Sequence, residues 1–288
     1  MRTMIALMFL ATACALGCDQ IVPQPSKANS NAKASAPDNK PAPPKTAPAE
    51  PQPGEPETPM LKSEPLPELP KADAKSVVKE LNKEKTLFIE TMPGDKKRIL
   101  LVAEVCLRQG LLEVLMCKKN TKEHEAILRS DIDARYIHAS LVAIGAEKGN
   151  PVQFVNPKTN ELEYKAASGQ TIKVSVCYTR DGKVYTHPAQ EWILDKVTKK
   201  PMKHEWVFAG SRFVKNPDRP DEPPYYCANN GEVIAISNFS DSMLDLPVKI
   251  GHENDDLFFD AETKKIPPLL SKVWVILEPV AKEAKPKK

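Results

Sequence analysis

The stretch QTIKVSVCYTRDGKVYTH, residues 170–187, contains the strongest hairpin signal in the chain. Apolar and polar residues alternate through its first half, and Asp181-Gly182 is a pair typical of two-residue turns. The stretch therefore predicts two antiparallel strands that meet at Arg180-Asp181-Gly182. It sets the fold class because short strand patterns of the same kind continue on both sides of it.

Most of the chain between residues 77 and 280 has this strand-like character. Upstream, LFIETM (87–92), RILLVAEVC (98–106) and LLEVLMC (111–117) predict two consecutive hairpins. The downstream candidate strands are EWILD, EWVFAGSRFV, YYCAN, EVIAISNF, DLFFDA and KVWVILEPV. We therefore expect an α+β domain that is mainly antiparallel β, either a sandwich or barrel-like.

Two short helices are expected after the second hairpin. In SDIDARYIHASLVAIGAEKG, residues 130–149, Ile137, Leu141 and Ile144 fall on one helical face. Upstream, Thr121 is a suitable N-cap for KEHEAIL, whose acidic residues would lie in the first turn.

The N-terminal residues predict export. The apolar run Met4–Leu10 is too short to span a bilayer and is typical of a signal peptide. Ala-Thr-Ala before Cys14 fits ordinary cleavage, which would release a soluble protein. Ala-Leu-Gly before Cys18 resembles the pattern that precedes a lipidated cysteine. We favour Cys18, with a signal peptide over residues 1–17, because polar sequence begins directly after it.

The next segment has the composition of a tether. Half of the 28 prolines lie within residues 21–70, and such a segment buries too little apolar surface to offset its ordering entropy. We expect a disordered linker over 18–76, a folded domain over 77–280 and a basic tail over 281–288. The net charge of +3, spread among carboxylates, indicates no nucleic-acid partner.

Four cysteines in an exported domain predict disulfides. They are Cys106, Cys117, Cys177 and Cys227. If the second hairpin forms, Cys106 and Cys117 lie about 13 Å apart or on opposite faces, too far for a bridge. Bridges should then run to Cys177 and Cys227, and the alternative is four buried thiols.

The segment CKKNTKEHE holds the densest set of reactive side chains. Cys117, His124 and His138 are candidates for a zinc or copper site, or for a cysteine nucleophile with its base. Their spacing matches no standard zinc motif, and His124 is equally suited to a half-buried structural position. Trp192, Trp206 and Trp274 lie in predicted strands and fit a core better than a sugar-binding platform.

The segments 113–128, 137–154, 205–213 and 231–248 contain the motifs K-E-H-E, W-V-F-A-G-S and S-N-F-x-x-x-M-L-D-L-P. Together these four segments resemble the YdjY-like family of exported bacterial proteins, many of which are lipoproteins. The similarity extends from Leu87 to Pro279. The resemblance singles out the polar motif residues Glu123, His124, His138, Ser237, Asn238 and Asp245. It supplies no reaction and no cofactor.

We therefore expect a non-enzymatic envelope lipoprotein whose β domain binds a partner protein or glycan. The lipid on Cys18 would anchor it to a bacterial membrane, facing the periplasm or the cell exterior. One alternative is an enzyme or a metal- or thiol-handling protein that uses Cys117, His124 and His138. Another is a carbohydrate-binding module.

Overall fold

The structure is a computed structural model that describes residues 62–156, 158–250 and 258–281. The predicted signal peptide, Cys18, the tether as far as residue 61 and the tail from residue 282 lie outside these ranges. The strands are β1 (Val77–Glu80), β2 (Leu87–Thr91), β3 (Lys97–Val105), β4 (Val114–Lys118), β5 (Ala126–Ser130), β6 (Gln153–Val155), β7 (Leu162–Lys165), β8 (Thr171–Arg180), β9 (Lys183–Pro188), β10 (Ile193–Asp195), β11 (Trp206–Phe208), β12 (Phe213–Val214), β13 (Tyr225–Tyr226), β14 (Ile234–Ala235), β15 (Leu244–Asp245), β16 (Phe259–Ala261) and β17 (Lys272–Pro279). The helix α1 spans Ala134–Ala143, and short 3-10 helices span Ala189–Trp192 and Cys227–Asn230.

Eight of these strands close into a barrel. Their order is β3, β17, β8, β11, β15, β14, β4 and β5, and β5 pairs back with β3. The barrel alternative is therefore the observed one, and the sandwich is not formed. β1 and β2 extend the sheet beyond β3, and β9 extends it beyond β8.

The hairpin that the sequence predicts over residues 170–187 is formed. β8 and β9 pair antiparallel from Ser175 opposite Pro188 to Arg180 opposite Lys183. Asp181 and Gly182 have φ of 51° and 71°, the left-handed conformation that a type I′ turn requires.

The predicted hairpin between residues 98–106 and 111–117 is wrong. β3 and β4 are not paired, because β5 lies between them, antiparallel to β3 and parallel to β4. β14 and β15 form a second parallel pair, whereas the other ladders of the barrel are antiparallel. A turn-like sequence at Arg108-Gln109-Gly110 therefore joins strands that are second neighbours in the sheet.

Of the two predicted helices, one is present. Asp133 caps α1 by accepting the Arg135 backbone N–H at 2.9 Å, and Ile137 and Leu141 are buried on its inner face. The other segment forms a turn at 121–125 followed by β5. Within the described ranges, no helix has the length and apolar character needed to cross a bilayer.

The three tryptophans are core residues. Trp192 and Trp206 have no exposed surface and Trp274 is 4 % exposed. The Trp206 indole N–H donates to the Ala235 carbonyl at 2.6 Å, which satisfies its polar atom inside the barrel. A sugar-binding platform built on tryptophan therefore finds no support in this domain.

The expected disulfides are not formed. Cys106, Cys117, Cys177 and Cys227 are all free thiols, and all but Cys106 are buried. The Cys106 and Cys117 thiols interact with each other across β5, although the sequence had placed them far apart. The hairpin on which their expected separation rested is not formed, but the expected absence of a bridge between Cys106 and Cys117 agrees with their free thiols.

The sequence placed the start of the domain at residue 77. In the structure, residues further upstream already pack against the sheet. Residues 64–72 cross the outer face of the sheet, and the Trp274 indole N–H donates to the Pro67 carbonyl at 3.0 Å. Leu66 and Leu69 pack against an apolar cluster that contains Phe88 and Trp274.

Candidate functional site

A cleft of about 480 Å³ opens where β2 and β5 diverge along one edge of β3. β2 pairs with Lys97–Leu101, and β5 pairs only with Glu104 and Val105. At the fork, Val102 donates its N–H to the Thr86 carbonyl and accepts the Ser130 hydroxyl. The cleft is lined by Asn82, Glu84, Thr86, Val102, Ala103, Glu104, Lys119, Arg129, Ser130, Asp131, Ile132, Asp133, Tyr136 and Lys272.

Arg129, in β5, is a cleft residue whose charge is held in place by two carboxylates. Its Nε lies 2.9 Å from Glu104 Oε1, and its Nη1 lies 2.8 Å from Glu123 Oε2. The hydrogen bond to Glu104, then that to Glu123, raises the pKa of Arg129 above its ordinary value. The two carboxylates thus hold the guanidinium in one orientation.

Glu123 of the K-E-H-E motif does not line the cleft, but it contacts Arg129, which does. It accepts the Asn120 backbone N–H at 2.7 Å as well as Arg129, and these contacts lower its pKa. The turn at 121–125, which replaces the predicted helix, points this carboxylate at β5. Glu123 is a positioning residue for Arg129.

The rim of the cleft carries both signs of charge. Its carboxylates are Glu84, Glu104, Asp131 and Asp133, and its cations are Lys119, Arg129 and Lys272. Tyr136, on the first turn of α1, is 61 % exposed beside them. The apolar side chains that line the cleft are Val102, Ala103 and Ile132. Such a surface suits a ligand that has both donors and acceptors, and it does not suit a polyanion.

A second cavity, of about 550 Å³, shares Asp133 with the cleft. Pro223, Pro224 and Tyr225 form part of its wall. Burial opposes the charged form of Asp133, but hydrogen bonds from Arg135 and Asn229 lower its pKa to about 2. Asp133 thus fixes the start of α1 between the two cavities.

The motif residues Ser237, Asn238 and Asp245 are fully buried away from the cleft. Asn238 Nδ2 donates to Asp245 Oδ1 at 3.1 Å, and Asn238 Oδ1 accepts the Ile250 backbone N–H at 2.7 Å. Burial raises the pKa of Asp245 to about 7. These contacts tie the two ends of the 238–250 segment together, which is a structural task.

Lys122, in the K-E-H-E motif, also contacts residues of the segment 231–248, which contains the S-N-F motif. Its Nζ lies 2.9 Å from Glu125, 3.2 Å from Glu113 and 3.4 Å from Glu232. The same ammonium lies 4.2 Å from the ring centroid of Phe239. Burial raises the pKa of Glu113 and of Glu232. The positive charge of Lys122 thus offsets the negative charge of these three carboxylates.

The three residues proposed for a metal or thiol site are not brought together. Cys117 is buried beside Cys106, and the His124 side chain is 77 % exposed, 3.7 Å from Glu125. His138 Nδ1 lies 2.8 Å from the Tyr226 hydroxyl, and burial followed by the charge of Lys148 lowers its pKa. In the part of the chain that the structure describes, no three His, Cys, Asp or Glu side chains form a group that could hold a metal ion.

The sequence did not identify Arg129, Glu104 or Tyr136 as site residues. Arg129 lies at the end of the apolar run AIL and could have been recognised as the polar end of a buried strand. Its pairing with Glu104 depends on the contact between β3 and β5, which no local pattern reveals.

No curated protein and no solved structure is detectably similar to this chain. Residues 91–278, well over half of the 288, match the family model described as the YdjY domain. That range includes the barrel, Arg129 with both of its carboxylate partners, and both polar motifs. The chain therefore belongs to the YdjY family.

Proposed function

We propose that this protein is a non-enzymatic binding module that takes an extended polypeptide segment in the cleft between β2 and β5. We further propose that a lipid on Cys18 anchors it to a bacterial membrane, facing the periplasm or the cell exterior. The observation that carries the first proposal is the fork in the sheet, with Arg129 held in place by two carboxylates.

The distribution of ionisable groups favours binding over acid-base chemistry. A general acid or base needs a pKa near the working pH and must reach the substrate. Among the described residues, the carboxyls with raised pKa are Glu113, Glu232 and Asp245, and all three are buried outside the cleft lining. In the cleft itself, Arg129 and Asp133 are shifted further towards their charged forms.

A polypeptide fits this surface because it offers donors, acceptors and apolar side chains at short intervals. The charged residues of the cleft can pair with side chains of either sign, and its apolar lining residues, Val102, Ala103 and Ile132, can contact an apolar one. An exposed tyrosine such as Tyr136 is a residue type enriched where protein partners bind.

Site-specific photo-cross-linking in cells tests this function. We would place p-benzoylphenylalanine at Lys272, on the exposed rim, in the full-length protein. We expect an adduct whose proteolytic digest contains peptides of a second protein, and we expect Tyr136→Ala to reduce this adduct at least fivefold. Because Tyr136 is mostly exposed, its replacement should leave the fold intact.

Leu162 provides the matched control, because it is 91 % exposed in the separate β6–β7 hairpin. The cross-linker at Leu162 should give no such adduct. Equal adducts at both positions, or an adduct at Lys272 that Tyr136→Ala leaves unchanged, would overturn the proposal. An adduct that a glycan hydrolase removes, and whose digest contains no peptides of a second protein, would replace the polypeptide with a glycan.

A further inference from the structure

A second binding arrangement lies on the outer face of the sheet. It adjoins the cleft at Lys272, whose backbone N–H donates to the Glu64 carbonyl at 3.2 Å. Residues 64–72, EPLPELPKA, form an extended segment that we call the strap. The strap is neither helix nor strand, yet it is held at both ends. Glu64 donates its N–H to the Ser271 hydroxyl at 2.8 Å, and Ala72 donates its N–H to Glu90 Oε1 at 2.7 Å.

The contacts of the strap repeat every three residues. Leu66 and Leu69 both pack on the sheet, and the carbonyls of Pro67 and Pro70 both accept side-chain hydrogen bonds. A polyproline II helix has three residues per turn, so positions i and i+3 face the same way, about 9 Å apart. The motif Leu-Pro-x-Leu-Pro thus presents two leucines and two carbonyls to the domain.

The domain meets this motif with a matching groove, formed by Phe88, Arg98, Trp274 and Glu90. The rings of Phe88 and Trp274 meet edge to face, with centroids 5.5 Å apart, and belong to the apolar cluster that receives the leucines. Trp274 Nε1 donates to Pro67 at 3.0 Å, and Arg98 Nη2 donates to Pro70 at 2.5 Å.

Glu90 makes the polar side of the groove specific. It is fully buried, and its Oε2 accepts Arg98 Nε at 2.7 Å while Oε1 accepts the Ala72 N–H. A buried carboxylate is tolerated only where such partners satisfy it. The Glu90–Arg98 pair therefore depends on the strap backbone to complete its hydrogen bonding.

We propose that this groove is a recognition site for Leu-Pro-x-Leu-Pro segments and that the strap is its separable ligand, bound in cis. Aromatic-lined grooves whose donors bind the carbonyls of a proline-rich segment form a general mode of peptide recognition. Within the strap, Pro65, Glu68, Lys71 and Ala72 are exposed, so the chain lies on the surface like a bound peptide. Residues 73–75, which connect it to β1, are also exposed.

Cutting this connection tests the proposal. In the full-length protein, a protease site inserted between Ala74 and Lys75 allows the strap to become a non-covalent ligand after cleavage. A fluorescent peptide of sequence SEPLPELPKAD should then replace it, with saturable binding and a shift of the Trp274 indole N–H resonance. The matched peptide with serine in place of both leucines should bind at least tenfold more weakly.

A second variant tests the groove without cleavage. Leu66→Ser combined with Leu69→Ser should free the groove, so that the same peptide binds the intact chain. The unaltered, uncut chain should bind it at least tenfold more weakly, because the strap is present at a high effective concentration. Failure of the peptide to exchange into the cleaved protein, or equal binding of the serine peptide, would show that the strap is a fixed part of the core.

Discussion

Asp245 is a carboxyl whose pKa the fold raises to about 7. Its Oδ1 accepts hydrogen bonds from Asn238 and from the Leu246 backbone N–H, at 3.1 and 2.7 Å. Its Oδ2 has no aligned partner among the described residues, although the Phe239 amide and the Ser242 hydroxyl partly favour the charged form. Burial dominates, and it raises the pKa from 3.8 to about 7.

This pKa makes stability depend on pH in a defined direction. Between about pH 4 and pH 7 the unfolded chain loses the Asp245 proton while the folded chain keeps it, so stability falls as pH rises. Asp245→Asn imitates the neutral form and should remove a loss on the order of 4 kcal/mol. Urea unfolding at pH 4.5 and pH 7.5 measures this, with the exposed Asp131→Asn as the control. An unchanged pH slope in the Asp245 variant would contradict the assignment.

At the scale of single residues, the sequence identified polar motif residues but did not show what each of them does in the fold. Glu123, Asn238 and Asp245 were identified as polar motif members, and each makes specific contacts. Their tasks differ because Glu123 contacts Arg129 next to the cleft, whereas the other two lock a buried segment. In both cases the partner lies only six or seven positions away along the chain, so the fold around the pair, rather than its sequence separation, sets the task.

At the scale of elements, the segment KEHEAIL shows why a helix was expected where a strand forms. Its Thr121 and early acidic residues fit a helix start, but Ala126, Ile127 and Leu128 are consecutive buried residues. A short apolar run is compatible with a buried strand or a buried helix, and periodicity cannot separate them. The edges of β3 and β4 decided the outcome, since β5 pairs with both.

Two loops cross closely beside β11, and glycine permits the contact. A Cβ on Gly169 would lie 2.2 Å from the Phe208 carbonyl oxygen, and its φ is +144°. Gly149 approaches Ser168 in the same way, with a Cβ position 2.1 Å from a backbone oxygen. The crossing holds the loop after α1 against the barrel.

Gly169→Ala should therefore be strongly destabilising. Gly94→Ala is the matched control, because Gly94 also has positive φ, +79°, but nothing within 4 Å of its Cβ position. We expect a loss of about 1 kcal/mol for Gly94→Ala from backbone strain alone, and of more than about 3 kcal/mol for Gly169→Ala. Denaturant unfolding compares the two, and equal losses would show that the crossing can relax.

At the scale of the whole molecule, local signals predicted strands but not their neighbours. The β8–β9 hairpin was foreseen because its turn is encoded by two adjacent residues, Asp181 and Gly182. The closure of the barrel was not, since β5 returns to β3 and β17 inserts between β3 and β8. The cleft exists only because of that closure, so the site could not be predicted from local patterns either.

The proposed membrane anchor concerns the chain as a whole and has a direct test. The full-length protein expressed in a bacterium should partition into the detergent phase of a phase-separating detergent. Cys18→Ser should move it to the aqueous phase or leave its signal peptide uncleaved, whereas Cys14→Ser should change nothing. If Cys14→Ser has the effect instead, the lipidated residue is Cys14.

The position of β17 also bears on when the protein can fold. Residues 272–279 pair with β3, about 170 positions earlier, and with β8, so the barrel wall stays open until they have been synthesised. Such distant pairings are slow to form, and the unpaired edges of β3 and β8 are exposed to aggregation meanwhile. A ribosome-bound chain that stops short of residue 272 should therefore remain accessible to proteases throughout its length. We therefore expect the barrel to close only after residues 272–279 have left the ribosome.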